Sequence, residues 1–494
     1  MIRVASRLFL LFSTLPLLVG CATQDDLPSL DGRLRAIIQS AGLTGDPVRG
    51  RTLPTSDDPL PRLGMQLFFT KALSGNGDAA CVSCHHPYLG GGDGLPMSIG
   101  IDADQPELLG PGRTHPEGPL VPRNAPTTFN AGLWDQVMFH DGRIESLGKT
   151  AGANGADGYG IRTPDRPWGY PDVLAGPNLV VAQARFPVTS EEEMRGFDFG
   201  NGQGNGSEVR NALTRDLLAQ IVSGADPTRS ARALNTWLSE FQRAFASDSD
   251  AATLITFENI AYAIGEYERS QVLVETPWKA YVEGDVTALS ESAKRGALLF
   301  FQPPADGGAG CASCHSGDFF TDEQFHVLAI PQIGVGKDSG LSGDDDWGRA
   351  LETHRDDDRY AFRTPTLLNV AVTGPYGHDG AYATLEGIVR HHLNPEAAVA
   401  DYAFDQLDPS IRLTNARENT QNALAQWRRL RDLGRPTVAV LDLSDAQVAD
   451  LLAFLAALTD PCVQDRACLA AWVPGDDIVD PDGMRLQATF SNPP

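Results

Sequence analysis

Two short runs, Cys81-Val82-Ser83-Cys84-His85 and Cys311-Ala312-Ser313-Cys314-His315, constrain this 494-residue chain more than any other feature. Cysteines at this spacing lie about one helical turn apart, so both thiols can form thioethers to one tetrapyrrole while the adjacent imidazole meets its metal. A zinc site or a redox dithiol is the competing reading of one such run, and the occurrence of the whole motif twice in one chain disfavours it. The runs read as attachment sites for two covalently bound haem c groups. The text before each is also similar, Leu63-Gly-Met-Gln-Leu-Phe-Phe against Arg295-Gly-Ala-Leu-Leu-Phe-Phe, so the chain carries an internal repeat.

Apolar residues at helical spacing precede each motif, which predicts a mainly α fold of two class I cytochrome c-like domains. With 50 glycines and 34 prolines, much of the remaining chain falls into long ordered loops. The segment Thr253–Arg269 reads as a helix closing the first half, with Phe257, Ile260, Ala261, Ile264 and Tyr267 on one face. Ser444-Asp-Ala-Gln reads as a capping box opening a second closing helix, striped by Val448, Leu451, Leu452, Leu455 and Leu458 and stopped by Pro461. Gly/Asn/Asp-rich stretches at 151–177, 200–207 and 334–346 read as inserted loops.

The first twenty residues, with Arg3, Arg7 and the apolar run Leu8–Leu18, form a signal peptide too short to span a bilayer. They end in Leu-Val-Gly-Cys21, similar to a lipobox, so Cys21 is the expected lipidated residue, with Ala22 behind it pointing to the outer membrane of a periplasmic protein. The domain reading is a leader over 1–20, a tether over 21–50, an N-terminal haem domain over 51–272, a C-terminal haem domain over 273–474 and a tail over 475–494. Cys462 and Cys468 remain as a local pair that an exported chain can oxidise. The formal charge of −25 disfavours nucleic acid and favours a basic protein partner.

Several segments together resemble the bacterial di-haem cytochrome c peroxidase family, which includes the MauG-type maturases. They are Gly91-Gly-Asp with Ser98-Ile-Gly, Arg123-Asn-Ala-Pro-Thr, Phe139-His-Asp-Gly-Arg, Gln183-Ala-Arg-Phe-Pro187 with Glu193-Met194, and Phe362-Arg-Thr-Pro-Thr-Leu with Pro375-Tyr-Gly-His-Asp-Gly. The resemblance runs from about Leu63 to Leu458. It implies that the N-terminal haem, ligated by His85, reacts with hydrogen peroxide, and that the C-terminal haem, ligated by His315, relays electrons from a small cytochrome or cupredoxin. Gln183, Pro187 and Glu193 match the positions lining the peroxide pocket, with Glu193 as the proton shuttle. The family's inter-domain calcium would take Asn124 and the carbonyls of Thr373 and Pro375.

Three positions depart from the family pattern. Ile101 stands where many members place a removable distal histidine, although His115 in the following loop could still reach that iron. The position of the second haem's distal ligand, counted from His378, is His392 instead of methionine or tyrosine, with His391 as its rival. None of the six methionines lies in the second haem domain before the tail. His140 replaces the tryptophan between the haems, which weakens a MauG-style reading. The expectation is a lipid-anchored di-haem peroxidase that could pair as a homodimer. A protein-modifying oxidase and a non-catalytic electron carrier are the alternatives.

Overall fold

The computed structural model describes residues 29–197 and 236–491. The leader with Cys21 and the 200–207 loop lie outside the described residues.

The protein is mainly α, and the repeat seen in the sequence is a repeat in packing. Helix α2 (Pro59–Phe69) and the later helix α5 (Phe257–Arg269) cross over an apolar cluster that includes Leu67, Phe68, Ile260 and Tyr267. At the crossing, a Cβ on Gly64 would stand 1.9 Å from the Ala263 carbonyl oxygen. Only glycine permits that approach. The second half repeats the arrangement, with α7 (Glu291–Phe301) crossing α10 (Asp445–Ala456) over Trp278, Phe300, Phe320 and Phe454. A Cβ on Gly296 would stand 1.9 Å from the Asp450 carbonyl oxygen. The glycine shared by the two sequence repeats therefore serves one purpose in both places.

Between these pairs run α1 (Leu30–Ala41), α3 (Leu179–Ala184), α4 (Trp237–Phe245), α6 (Pro277–Glu283), α8 (Leu385–Leu393) and α9 (Ala416–Asp432). The predicted capping box is present, with Ser444 and Gln447 exchanging bonds, and α10 ends at Ala456 before Pro461 is reached. The predicted helix over 253–269 is broken instead. A short turn ends at Leu254, and α5 restarts behind Thr256, whose side chain accepts from the Asn259 amide.

Two stretches expected to hang free are packed. In the stretch read as a tether, α1 is capped by Ser29 and ended by Gly42 at φ +65°. Its stripe Leu30, Leu34, Ile37 and Ile38 joins the second apolar cluster, with Leu34 fully buried. At the other end, residues 475–491 return to the first half, burying Ile478 and Leu486. There Thr489–Phe490 pair in parallel with Leu108–Leu109. Each end of the chain therefore packs on the half remote from it in sequence. Cys462 and Cys468 form a disulfide at the start of the returning segment. The 151–177 stretch is partly structured, because Ile161–Arg162 pairs with Ile144–Ser146 and Ala175 is buried beside Leu179.

Two candidate haem sites

At the first site, Cys81–Ser83 form a single 3-10 turn directly after the loop that follows α2, and His85 is held by its Nδ1–H, which donates to the Gly91 carbonyl at 3.1 Å. Gly91 adopts φ +73°, and a Cβ there would stand 2.8 Å from the Thr128 hydroxyl, so Gly91-Gly-Asp is read as the sharp turn that supplies this carbonyl. The bond fixes the tautomer and leaves Nε2 free for a metal. Burial pushes both Cys81 and Cys84 thiols well above the ordinary thiol range, so as free groups they are neutral.

Glu193 lies on a five-residue π-helical turn, Glu191–Arg195, capped by Ser190. That turn packs directly on the first site. Met194 Sδ is 4.0 Å from Cys81 Sγ, and a Cβ on Gly100 would stand 2.2 Å from the Glu193 carbonyl oxygen. The Ile101 amide donates to the Glu192 carbonyl, so the segment that departs from the family pattern at Ile101 backs the glutamate turn. Buried Arg113, which sequence reasoning missed, braces the same segment through bonds to the carbonyls of Ile99 and Gly100 at 2.8 and 2.7 Å. An arginine inside a Gly/Pro-rich loop carried no sequence signal for that role.

Burial raises the Glu193 carboxyl above its ordinary value, against the opposing charges of Arg143 and Lys337. Pro187 opens a 3-10 turn that packs against the glutamate turn. Gln183 stands one helical turn earlier, at the end of α3, and its half-buried amide has no protein partner among the described residues. His115 is held in its own loop, where its Nδ1 accepts from the Glu117 amide. That loop is tied to the second half by the Arg412–Glu117 ion pair at 3.0 Å and by Gly118 against the Ser410 carbonyl.

The second site repeats the cysteine turn at Cys311–Ser313, and His315 Nδ1 is within 3.1 Å of the Pro365 carbonyl and 3.2 Å of that of Phe320. Here a second imidazole faces the first. The His315 and His392 rings are 6.5 Å apart between centroids. That separation leaves room for one metal ion between the two rings. His392 donates its Nδ1–H to the Ile388 carbonyl at 2.8 Å, which leaves Nε2 free. His391 has no nitrogen to spare. Its Nδ1 accepts from the Tyr382 hydroxyl and its Nε2–H donates to the Leu328 carbonyl, both at 2.7 Å. Burial holds it neutral, at about 3. The residues at both sites fit covalent haem: four unpaired cysteines, two oriented proximal imidazoles and, at the second site only, an opposed imidazole pair.

Between the sites lies a buried charged network. Arg123 grips Asp346 through two bonds of 2.7 and 2.8 Å and Asp141 through one of 2.5 Å, and Arg143 reaches Asp141 at 3.1 Å. His140 donates to the Asn124 carbonyl at 3.0 Å and is neutral, pushed down to about 4 by burial and by Arg123. Asn124 donates its side-chain amide to the Leu95 carbonyl. Its Oδ1, and the carbonyls of Thr373 and Pro375, accept from no protein group among the described residues. Unclaimed oxygens of this kind suit a hard cation.

Comparison with known proteins agrees with this architecture. The sequence model of the family described as di-haem cytochrome c peroxidase matches residues 60–287. The methylamine utilization protein MauG of Methylorubrum extorquens is 28% identical over 372 residues, covering 75% of this chain and 77% of its own. A cytochrome-c peroxidase of Denitromonas iodatirespirans is 28% identical over 438 residues, 84% of each chain. In fold, the chain is similar to a crystal structure of a MauG-like protein associated with microbial copper homeostasis, with a TM-score of 0.53 and 23% identity, covering 85% of this chain and 95% of that one.

Proposed function

We propose that this chain, related to the di-haem cytochrome c peroxidases and MauG proteins and so implied to carry two c-type haems, reduces hydrogen peroxide to water at the His85 haem. The electrons come from a small external redox protein by way of the His315 haem. One asymmetry carries the reading. The second site brings two imidazoles to within 6.5 Å between ring centroids, whereas the first sets a half-buried carboxyl turn against its cysteines and has Ile101 where the family pattern would have an imidazole.

Bound haem supplies the redox chemistry at each site, and the chain supplies proton handling and access. The overall change is H2O2 plus two electrons and two protons giving two waters. Glu193 takes the proton from the inner peroxide oxygen and delivers it to the outer one, which departs as water. Burial raises its pKa above the ordinary carboxyl value, which makes it a stronger base toward the peroxide proton. Gln183, with an amide unclaimed by protein, orients the oxidant, and Pro187 shapes the wall beside it. The Gly91 carbonyl makes His85 a stronger electron donor through its Nδ1–H. His315 and His392 would hold the relay haem's iron, which would then supply electron transfer and leave no position for peroxide. Pairing with imidazole in place of methionine lowers that centre's potential.

The same reading places the mature protein in the periplasm, anchored through Cys21, with calcium bound at Asn124, Thr373 and Pro375. The acidic surface steers a basic donor at a rate that falls with salt. Steady-state oxidation of a reduced small cytochrome or cupredoxin on adding peroxide tests the function. Rapid oxidation supports it, and a donor that stays reduced while a partner protein is modified supports the MauG-type alternative.

A further inference from the structure

The chain has five lysines. Four are paired: Lys71 with Glu107, Lys149 with Glu145 at 2.7 Å, Lys279 with Glu275 at 2.5 Å and Lys294 with Asp31 at 2.9 Å. Lys337 is half-buried, yet among the described residues its ammonium has neither an ion pair nor a hydrogen bond. A half-buried cation without a protein partner invites the question of what it faces.

Its position supplies the answer. Lys337 belongs to the 334–346 loop, which arises in the second half of the chain but lies on the first site. A Cβ on Gly334 would stand 1.9 Å from Met97 Sδ, and Met97 leads directly into Ser98-Ile99-Gly100, the segment that abuts Glu193. The far end of the loop is locked by the two bonds from Arg123 to Asp346. The groups within electrostatic reach of Lys337 are Arg123, Arg143, Asp141 and Asp346, and both Lys337 and Arg143 act on Glu193, which also has Glu192 beside it. Three cations face two aspartates here, and Lys337 and Arg143 are the two that act on Glu193 and its acidic neighbour Glu192. Burial and the neighbouring arginines bring the Lys337 ammonium down to about 8, so it remains largely charged at neutral pH.

We propose that Lys337, lent by the second half of the chain, works with Arg143 as an anion-selecting element of the first haem's pocket, favouring small anionic ligands, including the deprotonated oxidant, over neutral ones. The proposal rests on the reading that this pocket is open. A small anion entering the pocket gives up its hydration, and a fixed ammonium nearby offsets that loss where a neutral ligand gains nothing from it. Lys337 acts on the bound ligand and on Glu193 through space, as a specificity-determining residue.

The test is ligand titration of the haem-loaded full chain in the ferric state, followed by its visible spectrum, with azide as the anion and imidazole as the neutral probe. Lys337→Met is expected to weaken azide binding about tenfold or more while imidazole binding is unchanged. Lys337→Arg is expected to restore the wild-type ratio, and Lys337→Gln serves as a second neutral variant should the methionine protein load haem poorly. Equal effects on both ligands, or none on either, overturn the proposal. So does an unchanged azide affinity with a shifted reduction potential of the first haem, which would assign the lysine to a haem carboxylate. A wild-type protein that binds neither probe overturns the open-pocket reading itself, and the proposal falls with it. The two failures are distinguishable because one appears in the wild type and the other only in the variant ratio.

Discussion

The two halves of the molecule use one frame for two environments. In each, a glycine in the helix before the cysteine turn lets that helix cross a closing helix at backbone contact, Gly64 on Ala263 and Gly296 on Asp450. In each, the proximal histidine is oriented by a carbonyl. They part company in what else approaches the cysteine turn. The second half places His392 there, on α8, with its ring 6.5 Å from that of His315. The first half offers a π-helical turn bearing Glu193, braced by Gly100 and Arg113. The comparison teaches that the frame determines where a haem attaches, whereas the loops determine whether it can react.

The largest expected effect falls on that difference. Glu193→Gln keeps shape and removes the titrating group, so the second-order rate of reaction with peroxide, followed by stopped-flow absorbance, is expected to fall roughly 10²–10⁴-fold. An unchanged rate would remove the carboxyl from the chemistry. The converse change is His392→Gly, which should make the second site resemble the first. The low-spin signal of the second haem is expected to give way to a high-spin one in the electron paramagnetic spectrum, while His391→Gln leaves the signal in place because both His391 nitrogens are already bonded to protein. If the two variants exchange these outcomes, the ligand is His391.

The shared frame predicts a matched pair of smaller effects. Gly64→Ala and Gly296→Ala each force a methyl into a carbonyl contact, and each is expected to destabilise by about 1–3 kcal/mol or more, read by chemical denaturation of the haem-loaded protein. A large cost at one glycine and none at the other would break the equivalence of the two crossings. The smallest expected effect is in pH. Because burial raises the Glu193 pKa, its base form is gained as pH rises through a window above the usual carboxylate range. The peroxide rate should climb through that window and be flat there in Glu193→Gln. The linked stability term has the opposite sense: a raised carboxyl favours the fold at low pH, and that contribution is lost as pH rises through the raised value.

Much of this comparison was legible in the amino-acid order because it rests on local, covalent or periodic features. The cysteine–histidine runs, the two glycine-phenylalanine repeats and the Ser444 capping box each declare their role within a few residues. The pairing of His315 with His392 came from a resemblance, and its discrimination from His391 needed geometry, because adjacent histidines on a helix differ only in which nitrogen atoms the surrounding carbonyls and hydroxyls have claimed. What stayed hidden was long-range. The Leu30–Ile38 stripe is an ordinary amphipathic helix whose partner is a cluster built by residues such as Trp278 and Phe454. Residues 475–491 carry too few apolar side chains to announce that they return to the first half. Lys337 lies in a glycine-rich loop, and only the tertiary packing of Gly334 on Met97 brings that loop beside the segment that abuts Glu193.

The central claim is that one iron is open and the other closed, and the electron paramagnetic spectrum of the oxidised, haem-loaded protein tests it most directly. The account predicts one high-spin ferric haem, assignable to His85 by its change on adding azide, together with one low-spin haem carrying two imidazole ligands. Two low-spin haems that both ignore azide would contradict it.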